Sequence, residues 1–239
     1  MTQHLKDPAT DLAPSDDAML TAYLDSARRI ITLAREVGET AAPEPVPACP
    51  AWTIRDLLAH VTSVGRLTSS GTGFGDDPQK TVDREVSARR QTSLAGIADE
   101  FESVLPTVEA RFAGRSVGPL VVDLVSHEHD LRTALGPAYR DHEAGLPEAL
   151  SAMVAWVRYL DLVGERGLLL RTPEVAALFG GPQVAAEVDL PDAWELFRLL
   201  GVRRSADQLR AYRQNGDGSL LFDVTSRYPL PEKPLETDG

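Results

Sequence analysis

The sequence predicts a mainly α fold: a helical bundle followed by a small α+β unit. Three observations lead there. Apolar residues recur at helical spacing through the first two thirds of the chain, glycine and proline punctuate those stretches, and after about residue 164 the pattern breaks into short β-like runs. With 239 residues, 43% of them hydrophobic, the chain can bury a substantial core.

The elements follow in order. Residues 1–14 are polar with two prolines and read as a flexible arm. Ser15 is a natural N-cap, and Asp16 and Asp17 suit the first turn of a helix dipole. Met19, Tyr23, Ala27, Ile30, Ile31 and Ala34 continue that helix to a stop at Gly38. Residues 41–50 carry four prolines and must be extended. Thr53 and Asp56 form an approximate capping box for a second helix, with Trp52 placed to staple onto Leu57. Residues 68–82 read as a glycine-rich loop, and 83–112 as a third helical stretch interrupted near Pro106. Pro119 opens a fourth helix that stops at Gly136-Pro137, and a further helix spans about 147–163. Beyond it, 168–171, 184–190 and 220–224 read as strands, 192–200 and 205–212 as helices. The expected organisation is an arm over 1–14, a bundle over 15–164 and a small α+β domain over 165–239.

Charge narrows the function. A formal net charge of −12, spread along the chain, repels phosphate backbones and anionic lipid, so nucleic acid and membrane are not expected partners. The first residues lack the apolar stretch of a signal peptide, no run approaches the roughly 20 apolar residues of a membrane span, and Cys49 is the only cysteine. Together these point to the cytoplasm.

The chemistry-bearing residues lie on two helices. In the second, Ile54, Leu57, Leu58, Val61, Val64 and Leu67 form one apolar stripe, and His60 falls inside it. In the fourth, Leu120, Leu124, Leu131 and Leu135 define the inner face, and His127 falls on it with Asp123 and Asp130 on one flank. His129 points to the opposite side. Two imidazoles and a carboxylate directed inward can share a divalent metal, with positions left open for water or substrate. The same residues can also be hydrogen-bonded core groups, with the carboxylates paired to Arg132, Arg55 or other arginines.

The segment from Cys49 through Pro50-Ala51-Trp52-Thr53-Ile54-Arg55-Asp56-Leu57-Leu58-Ala59 to His60 resembles the N-terminal signature of the mycothiol-dependent maleylpyruvate isomerase family. That family belongs to the DinB-like metal-binding four-helix bundles. The stretch from Asp123 to Arg132 resembles its second motif, in which a Glu and a His four residues later are ligands and an Asp follows. The segment from Asp192 to Ser205 resembles the small C-terminal domain of many members. The resemblance implies a divalent metal, with zinc expected, held by His60, His127 and Asp123. Asp123 stands at the family's Glu position, one methylene short. It implies mycothiol, a low-molecular-weight thiol, as cofactor and a small molecule as substrate. In the isomerase the thiol adds to a cis double bond, rotation follows and the thiol leaves; relatives transfer the thiol. Isomerase and transferase activities are both expected from the resemblance, and the alternative is a non-enzymatic binding or regulatory module that keeps the bundle. Neither the oligomeric state nor the substrate is encoded legibly.

Other motifs carry less. Residues 114–118 match G-x-S-x-G, but helix rather than strand precedes them. His127-Glu128-His129 lacks the spacing of a zinc-protease helix, and Gly71, Gly73 and Gly75 follow no strand.

Overall fold

A computed structural model describes residues 5–141 and 143–235. They are mainly helical, in two compact units: Ser15–Gly145, and a second unit joining the N-terminal residues up to Pro14 to the chain from Leu146 onward.

The first unit is a four-helix bundle. Helix α1 (Asp16–Val37) begins at Ser15, whose hydroxyl accepts from the Ala18 amide, and ends at Gly38. Residues 41–50, expected to be extended, make a two-stranded antiparallel hairpin, β1 (Pro45–Val46) and β2 (Cys49–Thr53). Helix α2 (Ile54–Ser69) starts at the full capping box of Thr53 and Asp56. Two expectations about the next stretch need correction. The loop is shorter than 68–82, because Asp77 and Pro78 start helix α3 (Pro78–Ala88). The break in the third helical stretch lies before Leu94 rather than at Pro106. A polar turn ends at Ser93, which caps α4 (Leu94–Phe112), while Pro106 sits inside α4 and forfeits only one backbone bond there. Helix α5 (Gly118–Leu135) completes the set. Helices α1, α4, α2 and α5 pack in that cyclic order.

The stripe of α2 is realised: Ile54, Leu57, Leu58 and Val61 are almost wholly buried, each contributing about 1.5–3 kcal/mol of transfer free energy. One approach is unusually close. A Cβ on Gly65 would stand 3.0 Å from the Tyr23 hydroxyl, so a side chain there would press on the tip of the α1 tyrosine.

The second unit contains α6 (Leu146–Leu160), β3 (Gly167–Arg171), β4 (Ala176–Gly180), β5 (Val184–Asp189), α7 (Ala193–Leu200), α8 (Ala206–Ala211), β6 (Arg213–Gly216) and α9 (Ser219–Val224). Its sheet runs β4-β3-β5-β6, antiparallel except for the parallel β3–β5 pair. Helix α6 packs on α7 and β4, which is why contacts place it in this unit, whereas the sequence pattern drew the division at its far end. The segment read as an arm also contributes here: Lys6 bridges to Val175, and Asp7 forms an ion pair with Arg158. The strand expected at 220–224 is helix α9. Leu220, Leu221 and Val224 are buried at helical spacing, and Asp217 accepts from the Ser219 amide at its start. Strands β4 and β6 were not expected from the sequence: β4, Ala-Ala-Leu-Phe-Gly, buries alternate residues but has no alternation of polar and apolar types, and β6, Arg-Gln-Asn-Gly, has a composition that reads as a turn.

Candidate metal centre

The bundle brings His60, Asp123 and His127 together. The capping box fixes where α2 begins, and the stripe then turns His60 inward. Asp123 and His127 stand one turn apart on α5. One ligand atom from each of the three lies within 4.8 Å of the others. The Asp123 Oδ1 is 3.4 Å from His60 Nε2 and 3.6 Å from His127 Nε2. Those separations are long for hydrogen bonds to a carboxylate and suit donors arranged around a common centre. Both imidazoles are buried, at 7% exposure each, while the Asp123 side chain keeps 32%, so the cluster opens on the aspartate side.

The surroundings decide what state these groups occupy. Burial pushes the His127 pKa below its ordinary value, more than the carboxylates of Asp130 and Asp123 raise it, and His60 adds to the depression. A neutral imidazole is the form that ligates. His60 Nδ1 is buried with no hydrogen-bond partner among the described residues. His127 Nδ1 lies 3.2 Å from Asp130 Oδ2, close but off the line of a strong hydrogen bond. Two buried imidazoles whose ring nitrogens are poorly used by the protein, with a carboxylate between them, fit a divalent metal by donor chemistry.

Arg132 and Arg55, weighed from sequence as partners for these aspartates, are engaged with other groups. Arg55 donates to Glu39 and to the Arg90 carbonyl, and Arg132 to Glu128 and the Tyr139 carbonyl. His129 is buried elsewhere on α5 and belongs to neither ligand cluster. His4 and His142 lie outside the described residues.

Three contributors were missed from sequence. Trp52 does more than staple a helix start: its ring lies 4.7 Å from the His60 ring and 5.6 Å from that of His127, so the indole covers both imidazoles. Its position just before the N-cap was the available signal. Cys49, on the same strand, brings Sγ to 3.8 Å from Asp130 Oδ2, and with His127 Nδ1 these atoms form a second cluster on the other side of the same ring. Glu128 is fully buried and accepts from Ser26, Arg29 and Arg132, locking α1 to α5 and setting the rotation of α5 that aims Asp123 and His127. The i, i+4 pair of Glu128 and Arg132 was its only trace in the sequence.

In the second unit Arg227 stands out. Its guanidinium stacks 4.7 Å from the Trp156 ring and donates to the Leu200 carbonyl, while Nε and Nη1 are buried with no hydrogen-bond partner among the described residues.

The family model for the mycothiol maleylpyruvate isomerase N-terminal domain matches residues 23–163. The chain belongs to that family. The match runs from within α1 past the end of α6 and includes both helices that carry the His and Asp cluster. Among solved structures, the chain is similar to a crystal structure of a histidine-to-alanine mutant of the mycothiol-dependent maleylpyruvate isomerase, with a TM-score of 0.58 and 12% identity over 91% of this chain and 96% of that one. At that identity the likeness establishes the fold, mainly α with its small sheet. No curated protein matches the sequence. Among the described residues no helix is long and apolar enough to cross a membrane.

Proposed function

We propose that this member of the mycothiol maleylpyruvate isomerase family is a cytoplasmic, metal-dependent protein that uses mycothiol to isomerise a small molecule or to transfer the thiol to it. The observation that carries the reading is the convergence of His60 Nε2, His127 Nε2 and the Asp123 carboxylate, all within 4.8 Å of one another and opening to solvent on one side. These three residues would hold the metal, and zinc suits a nitrogen and oxygen donor set of this kind. When bound, a divalent metal supplies Lewis acidity that favours the thiolate form of a low-molecular-weight thiol at neutral pH.

The chain's own residues prepare the place. His127 stays neutral because it is buried, and Asp130 beside Nδ1 leaves Nε2 directed to the shared centre. Trp52 shields the imidazoles from water on one side. Asp123 is shorter than the Glu of the family motif, so direct coordination requires its carboxylate to lie near both imidazoles, and Oδ1 stands 3.4 Å from His60 Nε2 and 3.6 Å from His127 Nε2.

The test has two readouts. Elemental analysis of purified protein is expected to find about one divalent metal per chain, with a large loss in His60→Ala. Mycothiol-dependent conversion of maleylpyruvate, or consumption of mycothiol with another small electrophile, is expected from the loaded protein. Metal at equal occupancy in both proteins refutes the ligand set. Stoichiometric metal without any thiol-dependent turnover favours a binding module that keeps the bundle.

A further inference from the structure

A second set of donors meets at the far side of the His127 ring. The hairpin of β1 and β2 packs against α2 and α5 and holds Cys49 at the start of β2, opposite Val46. There Cys49 Sγ stands 3.8 Å from Asp130 Oδ2, and that oxygen stands 3.2 Å from His127 Nδ1. A ligand atom from each of the three residues lies within 4.8 Å of the others. Around a tetrahedral metal with bonds of about 2.0–2.3 Å, neighbouring ligand atoms stand about 3.3–3.7 Å apart, and the two separations bracket that edge. Burial points the same way. His127 is 7% exposed, and its Nδ1 has no hydrogen-bond partner among the described residues, the contact to Asp130 lying off the line of the ring N–H. Asp130 is fully buried and Cys49 only half-buried, so an ion would enter from the cysteine side.

We infer that Cys49, His127 and Asp130 form a second metal site, selective for a thiophilic divalent ion, and that this site competes with the candidate centre for His127. The sulfur supplies the selectivity. His60, Asp123 and His127 offer nitrogen and oxygen alone, whereas a thiolate favours soft ions, and its proton leaves to solvent as the ion binds. The competition follows from the imidazole. A neutral ring has one nitrogen with a free lone pair and one that carries the proton. When Nε2 ligates at the candidate centre, the proton sits on Nδ1, beside Asp130 Oδ2. When Nδ1 ligates beside Cys49, the proton sits on Nε2, which is then closed to a metal. One chain therefore fills one site or the other. The competition rests on the metal reading above; the second site does not.

The test uses the full chain, stripped of metal and titrated with Cd²⁺, and reads the thiolate-to-cadmium charge-transfer band in the ultraviolet. The wild type is expected to show the band of a single thiolate, and Cys49→Ser to lose it. His127→Ala and Asp130→Asn should each weaken the Cd²⁺ affinity that the band reports by about tenfold or more, with folding checked by circular dichroism. Asp130→Asn, nearly the same in shape, carries this arm if His127→Ala does not fold. No band in the wild type overturns the second site. So does a band of unchanged affinity in the folded variants, which would be a lone thiol collecting the ion.

For the competition, protein carrying one equivalent of Zn²⁺ is given one equivalent of Cd²⁺ beside a chromophoric chelator. The band should grow as Zn²⁺ is released, and Cys49→Ser should release less. A full band with Zn²⁺ retained overturns the competition. His60→Ala keeps the two readings apart, since it is expected to lose Zn²⁺ and keep the Cd²⁺ band. If it loses Zn²⁺ while no band appears in either protein, the second site falls and the candidate centre stands. If both proteins show the band and bind Zn²⁺ equally, the second site stands and the candidate centre falls.

Discussion

Removing the Glu128 carboxylate should cost the bundle a large share of its stability without touching a metal ligand. Glu128 is fully buried and accepts five hydrogen bonds: from Ser26 Oγ at 2.7 Å, from Arg29 at 2.8 and 2.9 Å, and from Arg132 at 3.0 and 2.8 Å. Glu128→Ala leaves two guanidiniums facing a cavity. The Arg29 side chain is 31% exposed and can turn to water, but that of Arg132 is only 12% exposed and is held in place by the Tyr139 carbonyl. Breaking a buried pair by deleting one partner costs about 3–5 kcal/mol, and the partial escape of Arg29 puts the expectation near the lower end, about 3 kcal/mol. Against a typical total of roughly 5–15 kcal/mol, that is a fifth or more of the whole. The assay is urea unfolding followed by far-UV circular dichroism, in chelator so that metal does not contribute. With a urea slope of about 3 kcal/mol per molar, the midpoint should fall on the order of 1 M at unchanged slope. A fall under about 0.3 M would refute the reasoning, because it would mean that the two arginines find other partners at no cost.

Three further outcomes are expected. In Zn²⁺ titrations, His127→Ala should abolish or strongly weaken binding while His129→Ala leaves it nearly intact; equal loss in two folded variants would place the site elsewhere on α5. Because burial holds the His127 pKa low, the folded imidazole resists the proton that the unfolded one accepts below about 6.5. Metal-free stability should therefore fall as pH drops through 6.5 and below, and His127→Gln should flatten that slope in urea midpoints measured between about pH 5 and 8; parallel slopes would contradict it. Arg227, mainly through burial, is pushed down to about 10, so its cation is penalised at every pH below that and relieved above it. Arg227→Met should raise the thermal midpoint at neutral pH, by at most about 3 kcal/mol of stability, and a lowered midpoint would show that the guanidinium has a strong partner.

Much of the site was legible because helices publish their faces. The stripe around His60 and the i, i+4 spacing of Asp123 and His127 are local patterns, and the capping box at Thr53 and Asp56 is as good a start signal as sequence provides. What escaped depended on contacts across the chain. Trp52 covers imidazoles from two helices, one of them 75 residues away in sequence by the numbering of His127. Ser26 and Arg29 find Glu128 across the bundle, and no periodicity encodes that partnership. In the C-terminal unit, α9 was mistaken for a strand because Leu220, Leu221, Phe222 and Val224 form a short apolar run, which fits either element until burial tells the turn of a helix from the alternation of a strand. The break between α3 and α4 was displaced to Pro106 because proline is the louder signal, although Ser93 is the residue that starts a helix.

Helix α5 holds two commitments at once. Asp123, His127 and Asp130 gather at the candidate centre, and Glu128 with Arg132 anchors the same helix to α1. A single inserted or deleted residue between Asp123 and His127 would rotate Asp123 by about 100° against His127 and against the Glu128 anchor, so that no rotation of the helix could satisfy both. Point substitutions can adjust either set alone, but changes of length there cannot. A lineage built on this helix is therefore free to vary its loops and its second unit while α5 keeps its spacing.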